Sequence, residues 1–242
     1  MDKVLSMTRP RFASTVVLLR PDANGGFEIL LTRRPPQMRF MGGFYVFPGG
    51  TVLENDYSPK VLERCLGLSA DQARSLLGDH HSPEVALGHW VAVVRELFEE
   101  VGILLCTAES GEPINLRVEK TKARLELKRQ AIVKAELSFG EFLESEKIYC
   151  DLSRMVYFFH RVTPDFYPMR FDTRFYLAML PMHQAALQRS EEVTESLWIS
   201  PEEALSRGYR DDFPILPPTT TVLADLAQLR TWDRLRSAYD LA

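Results

Sequence analysis

Three glutamates crowd the end of one helical stretch. In AVVRELFEEVG, Glu96, Glu99 and Glu100 stand at i, i+3 and i+4, so they share a face near the helix C-terminus. Val91, Val94, Phe98 and Val101 fill a different, apolar face. Left alone, the acidic face is unfavourable: like charges four apart repel by roughly 0.2–0.5 kcal/mol, and the negative end of the helix dipole adds about 0.3–1 kcal/mol. A bound cation removes both penalties. Carboxylate oxygens on a semi-rigid face suit Mg²⁺ or Mn²⁺, hard ions that keep part of their water shell and also take phosphate oxygens. Such an ion can neutralise a diphosphate and orient or deprotonate an attacking water. The plainer alternative is a solvated acidic patch paired with Arg95 and distant lysines.

A second stretch weighs against the plain alternative. FYVFPGG ends an apolar strand in Pro48-Gly49-Gly50, where the backbone can approach a ligand or metal with no Cβ in the way. Taken together, Phe47–Gly50 and Arg95-Glu96-Leu97-Phe98-Glu99-Glu100-Val101-Gly102-Ile103 resemble the Nudix hydrolase box, G-x5-E-x7-R-E-U-x-E-E-x-G-U, where U is apolar. The second half matches at every specified position. The resemblance implies an α/β/α sandwich with a mixed sheet, and a Mg²⁺- or Mn²⁺-dependent hydrolase of nucleoside diphosphates linked to another moiety. It implies Glu99 and Glu100 as metal ligands, Glu96 as a further ligand or an aid to water activation, and Arg95 as the residue that orients them. The Gly49 carbonyl would complete the metal shell. A further glutamate from a later loop is also expected, with Glu191, Glu192 and Glu195 as candidates and no motif choosing between them. The spacing departs from the box at one point. Gly50 and Arg95 are separated by 44 residues, 31 more than the box allows, and the position eight before Arg95 is Leu87. The box's first glutamate is thereby lost, and Glu84 is the nearest acid on that helix.

LLTRRPPQMRFMGGFYVFPGG (Leu30–Gly50) resembles the signature of the coenzyme A diphosphatases, L-L-T-x-R-[SA]-x3-R-x3-G-x3-F-P-G-G, with Pro35 as the single mismatch. This implies CoA or acyl-CoA as substrate, with 3′,5′-ADP and (acyl-)4′-phosphopantetheine as products. Arg34, Arg39, Gly43 and Phe47 would be substrate-binding residues, since guanidinium groups hold phosphate oxygens bidentately. Salt bridges to surface acids are the alternative for the two arginines. Phe40, Met41, Phe44 and Tyr45 read as core or pocket wall. The long box insertion, HRVTP (His160–Pro164) and RFDTRFYLA (Arg170–Ala178) resemble large Nudix proteins related to the peroxisomal CoA diphosphatases. The final DLA is not a peroxisomal address, so location is not carried over. His160 reads as a group that caps or orients a strand rather than as a base. The rivals are the same chemistry on an NDP-sugar, NADH or a dinucleoside polyphosphate, and a Nudix-fold nucleotide sensor that does not cleave. Three crowded carboxylates argue against a pure binder.

The elements that must position these residues follow from pattern. Ser14–Pro21 and Phe27–Arg34 are apolar, β-branched runs flanking DANGG, which predicts a hairpin turning at Asn24-Gly25. FYVFPGG predicts a third strand stopped by Pro48. Between Ser58 and Gly78 lie two short helices, the second opened by the capping box Ser69–Gln72. Ser82-Pro83-Glu84 starts the long helix, and Gly102 ends it. Residues 117–149 read as mixed-charge, solvated helices, with Ser138 capping a further one. MVYFFHRVTP, RFYLAMLP and SLWIS return to strand, Ser200-Pro201 opens another helix, and PPTTTVLADLAQLRTWDRL forms the last. Strands at both ends with helices between predict an α+β layered fold, one elaborated domain over 1–242 with helical insertions at about 51–82 and 117–149. Those insertions could also serve as an interaction platform or a homodimer contact.

Composition limits the alternatives. With 242 residues, 45% hydrophobic and 26% charged, the chain can bury a sizeable core. A net charge of −4 supplies no basic field for nucleic acid. No run approaches a membrane span, and MDKVLSMTRPRF lacks the apolar core of a secretory signal, which predicts a cytoplasmic protein. Cys65, Cys106 and Cys150 are scattered without CxxC spacing and read as buried free thiols.

Overall fold

The computed structural model describes residues 9–38, 41–78, 80–210 and 212–241. The chain opens with the expected hairpin, β1 (Arg11–Pro21) and β2 (Phe27–Arg33), with Pro21 opposite Phe27. Its turn is held by the Asp22 carboxylate, which accepts the amides of Asn24 and Gly26, while Gly25 takes φ +83°. The stretch after it differs from the single strand expected. β3 (Tyr45–Val46) pairs with β2, and after Pro48 the chain crosses over so that β4 (Gly49–Thr51) pairs with β1. Pro48 cannot donate, but its carbonyl still accepts from the Val16 amide at 2.9 Å, so pairing resumes beyond it.

A 3-10 turn over Glu54–Tyr57, α1 (Pro59–Leu62), β5 (Cys65–Leu66) and α2 (Ala70–Leu77) form the first insertion. The central helix α3 (Pro83–Val101) follows, capped by the Ser82 hydroxyl and ended by Gly102 at φ +72°. Next come β6 (Cys106–Ala108), α4 (Glu119–Val133), α5 (Phe139–Glu146) and β7 (Ile148–Asp151). β8 (Met155–Val162), β9 (Phe171–Met179), β10 (Glu195–Ile199) and α6 (Pro201–Gly208) lead to the C-terminal helices. The single last helix expected is two, α7 (Pro217–Ala227) and α8 (Trp232–Tyr239). Between them Arg230 takes φ +59° and the Thr231 hydroxyl caps α8, so the chain turns where periodicity alone suggests continuity.

The main sheet is mixed and seven-stranded, in the order β10-β2-β1-β9-β8 with β3 beside β2 and β4 beside β1; β1 and β9 run parallel. Alternation along its strands builds two cores. Val16, Leu18, Leu30, Tyr176 and Ala178 face α3, whereas Val17, Leu19, Ile29, Leu31, Phe175 and Leu177 face α6, α7 and α8. This is the α/β/α sandwich. The insertions thicken the α3 layer rather than standing off it: Phe142 of α5 stacks on Phe98 at 4.9 Å, and Leu125 and Ile132 of α4 and Leu77 of α2 join the same core. α3 is therefore buried on nearly every side, its acidic face included.

The cysteines, far apart in sequence, meet in the small sheet β5-β7-β6, where both Cys65 and Cys106 pair with Cys150; all three are free thiols. Among the described residues no helix is long and apolar enough to cross a membrane.

Candidate active site

The close of α3 and the bend between β3 and β4 meet face to face. A Cβ on Gly50 would lie 2.2 Å from Glu96 Oε1, and one on Gly49 would lie 2.3 Å from the Ser14 carbonyl oxygen. Only glycine permits either approach. The Gly49 amide donates to Glu100 Oε2 at 3.3 Å, so the diglycine bend and two of the three glutamates form one assembly.

Arg95 organises the acids from beneath. Its guanidinium grips Asp56 through Nε (2.7 Å) and Nη2 (2.9 Å), donates to the Thr51 carbonyl (2.8 Å) and to Glu96 Oε1 (2.8 Å), and reaches Glu99 Oε2 at 3.5 Å. Asp56 is fully buried, and its carboxylate also accepts the Leu53 amide. This corrects the expectation that the box's first acid is lost. Five residues separate Gly50 from Asp56, the spacing of the first half of the box, with aspartate in place of glutamate. The insertion thus falls after the first acid, and residues 57–94 stand where the box has seven. Glu84 sits in the first turn of α3, about three turns from Arg95, and has no part in this cluster. Counting forward from Gly50 rather than back from Arg95 is the signal that finds Asp56.

Charge at the site is incompletely balanced. Burial, then Glu96 and Glu192, push the Glu100 carboxyl well above its usual range, against the opposing pull of Arg34. Burial also raises Glu96, although Arg95 pulls it down, and raises Glu99 to about 7. Carboxyls that resist ionisation when buried among their own kind are short of a cation. Arg34 supplies part of it, and its buried Nε has no hydrogen-bond partner among the described residues. Its backbone is fixed by Gly43, whose amide donates to the Arg34 carbonyl at 3.0 Å, with Gly43 at φ +82°.

The three loop glutamates go separate ways. Glu191 pairs with Arg129 at 3.2 Å, and Glu195 accepts from the Tyr45 hydroxyl at 2.7 Å. Glu192 is exposed and acts electrostatically on Glu96, Glu99 and Glu100. The loop bearing it is tied to the end of α3: the Leu187 amide donates to the Val101 carbonyl, and Gln184 bonds the Leu104 backbone through both ends of its amide. Arg129 completes the tie. Buried on α4 between Leu125 and Ile132, it donates to the Glu99 carbonyl at 2.6 Å and to Glu126 and Glu191. The mixed charge of α4 hides this residue from sequence reading. The apolar spacing Leu125, Ile132 around it is the signal that one face is buried.

Other expected residues fall elsewhere. Phe47 is 3% exposed and lies in the core facing α6–α8, as does Tyr45, so Phe47 packs the fold and lines no open site. Arg39 and Phe40 lie outside the described residues. His160 pairs with Asp172 at 2.6 Å, and Asp172 in turn holds Arg174 of the same strand pair, a strand-orienting role.

Among the described residues no three acid, histidine or cysteine side chains already close around one point; Arg95 and the Gly49 amide hold the carboxylates. The residue types nonetheless suit a hard divalent cation: clustered carboxylate oxygens against the diglycine bend. A cleft of about 570 Å³ opens beside the Glu192 loop, lined by Arg33, Pro36, Gln188, Arg189, Thr194 and Glu195.

Comparison with known proteins agrees with this geometry. The family model described as the NUDT19 Nudix domain matches residues 10–226. Putative nudix hydrolase 7 of Caenorhabditis elegans is 27% identical over 206 residues, covering 85% of this chain and 58% of that protein. Acyl-coenzyme A diphosphatase NUDT19 of Xenopus laevis is 28% identical and that of Gallus gallus 29%, each covering 79% of this chain, and 57% and 59% of those proteins. The chain thus spans under three fifths of the length of these relatives. The crystal structure of a NUDIX hydrolase from Alicyclobacillus acidocaldarius superposes with a TM-score of 0.75 at 28% identity, covering 98% of this chain and all of that one.

Proposed function

The chain belongs to the NUDT19 Nudix domain family of Nudix hydrolases, and on that premise we propose that it is a metal-dependent diphosphatase of CoA or acyl-CoA. Water would attack the diphosphate, giving 3′,5′-ADP and (acyl-)4′-phosphopantetheine. The observation that carries the reading is the clasp of Gly49 and Gly50 on Glu100 and Glu96, with the charge of Arg34 acting on Glu100.

Glu96, Glu99, Glu100 and the Gly49 carbonyl would hold Mg²⁺ or Mn²⁺, which supplies charge neutralisation of the diphosphate and a more acidic water. Arg95 fixes Glu96 and Glu99 through Asp56, so the acids meet the substrate in one preset arrangement. Arg34 would bring guanidinium charge to the diphosphate oxygens. Glu192 accepts the proton of the attacking water, since Glu191 and Glu195 are engaged elsewhere. Two relatives named acyl-coenzyme A diphosphatases, and the register of Leu30–Gly50 with that group's signature, support CoA as the substrate class. We take the partner to be this small molecule, neither nucleic acid nor membrane, and the setting to be the cytoplasm.

Incubation with Mg²⁺ or Mn²⁺ and a panel of CoA, acyl-CoA, NDP-sugar, NADH and dinucleoside polyphosphates, read by mass spectrometry, tests the reading. Preferred cleavage of CoA esters is expected. Preferred cleavage of another diphosphate would retain the chemistry and replace the substrate, while tight binding without any product would make the protein a sensor.

A further inference from the structure

β2 ends at Arg33; Arg34 follows it with its backbone still bonded to Gly43 and Phe44, and consecutive residues of an extended chain point to opposite faces. Arg34 turns to the α3 side, near Glu100. Arg33 turns the other way, into the cleft of about 570 Å³, a size usual for small-molecule sites. The two cations therefore serve different groups.

The cleft is built. Arg33 lies 5.4 Å over the Tyr45 ring, and its Nε donates to the Gly43 carbonyl at 3.2 Å, so the stem and base of the guanidinium are fixed while its outer nitrogens have no hydrogen-bond partner among the described residues. The opposite wall is fastened to the same strand: both the amide and the hydroxyl of Thr194 donate to the Arg33 carbonyl at 3.0 Å. Glu195, the single acid of the lining, is engaged by the Tyr45 hydroxyl. Arg189 is exposed and makes no ion pair among the described residues. Two arginines and one occupied carboxylate leave the lining with a net positive charge, in a chain whose formal charge is −4. Thr194 and Glu195 lie two and three residues after Glu192, so the cleft adjoins the proposed catalytic loop.

We propose that this cleft binds a phosphomonoester on the nucleotide half of the substrate, remote from the scissile diphosphate. Under the CoA reading, on which this assignment rests, that group is the 3′-phosphate. Arg189 and Arg33 grip it from two sides. The cleft thereby selects CoA over diphosphates that lack a second phosphate, a distinction the carboxylate cluster has no means to make.

The test compares CoA with dephospho-CoA, which lacks only the 3′-phosphate. Wild-type kcat/KM should favour CoA by about tenfold or more, as one or two charge-assisted hydrogen bonds warrant. Arg189→Ala, on an exposed loop, should bring the ratio to about one, and Arg33→Met, which keeps the stem over Tyr45, should do likewise. Calorimetric titration with adenosine 3′,5′-bisphosphate should show about tenfold or greater weakening in Arg189→Ala. Equal losses on both substrates, or an unchanged ratio with unchanged bisphosphate affinity, overturn the assignment. If the wild-type protein cleaves neither CoA nor dephospho-CoA yet Arg189→Ala still loses the bisphosphate, the hydrolase reading falls and the cleft stands. A wild-type protein that does not bind the bisphosphate sinks the cleft.

Discussion

Glu99 releases its proton near pH 7 in the folded chain, against 4.5 for the free carboxyl, chiefly because burial penalises its charge. Between those values the unfolded chain is ionised and the folded one is not, so rising pH draws the equilibrium toward unfolding. The unfolding free energy of the metal-free protein, read from denaturant melts, should therefore fall from pH 5 to pH 7.5, by up to about 3 kcal/mol from this residue. Glu96 and Glu100 shift in the same direction. Under the proposed function saturating Mn²⁺ would bind the ionised carboxylates and should flatten or reverse the slope; metal-free stability that climbs over this window would contradict the account. Glu100→Gln keeps the shape and removes the charge, so turnover should fall by about 10²–10³-fold while circular dichroism stays unchanged. Asp56→Asn is different in kind, since it removes the fully buried carboxylate that Arg95 grips through two nitrogens and should cost about 3 kcal/mol in urea melts besides its loss of activity.

At the scale of elements, the arrangement turns on how α3, the Glu192 loop and α4 are fastened together. Arg129 is the fastening. Arg129→Met fills similar space without the hydrogen bonds, and should lower kcat about tenfold with KM for CoA changed little, because loop placement rather than substrate contact is lost. Faster hydrogen exchange confined to residues 188–195 would accompany it; an unchanged loop with lowered stability everywhere would make Arg129 merely structural. Periodicity located α3, its Ser82 cap and its Gly102 stop, since all three are local signals. It missed the role of α4, whose surface-like composition conceals a buried guanidinium.

In the molecule as a whole, one sheet separates two cores, and adjacent residues of β1 belong to different ones: Leu18 faces α3 and Leu19 faces the C-terminal helices. Since both cores rest on the same strands, they should melt together. Calorimetry of Leu18→Ala and Leu19→Ala should show a single transition in each, with losses of about 2–5 kcal/mol. A second transition, appearing in one variant alone, would mean that one layer folds independently. The insertions belong to the α3 layer by the same reasoning, since Phe142, Leu125 and Leu77 pack into its core.

The sequence by itself determined the carboxylate ridge, the diglycine bend, the strands and helices that carry them, and the family, because each is written in contiguous residues with fixed spacing. Only the tertiary structure decided that Asp56 serves Arg95 across the insertion, that Glu191 and Glu195 are engaged by Arg129 and Tyr45, that Phe47 is core, and that Arg33 reaches over Tyr45 while Arg34 acts on Glu100. Those outcomes depend on pairings between residues tens of positions apart, which local propensity does not encode and close packing of the sandwich fixes.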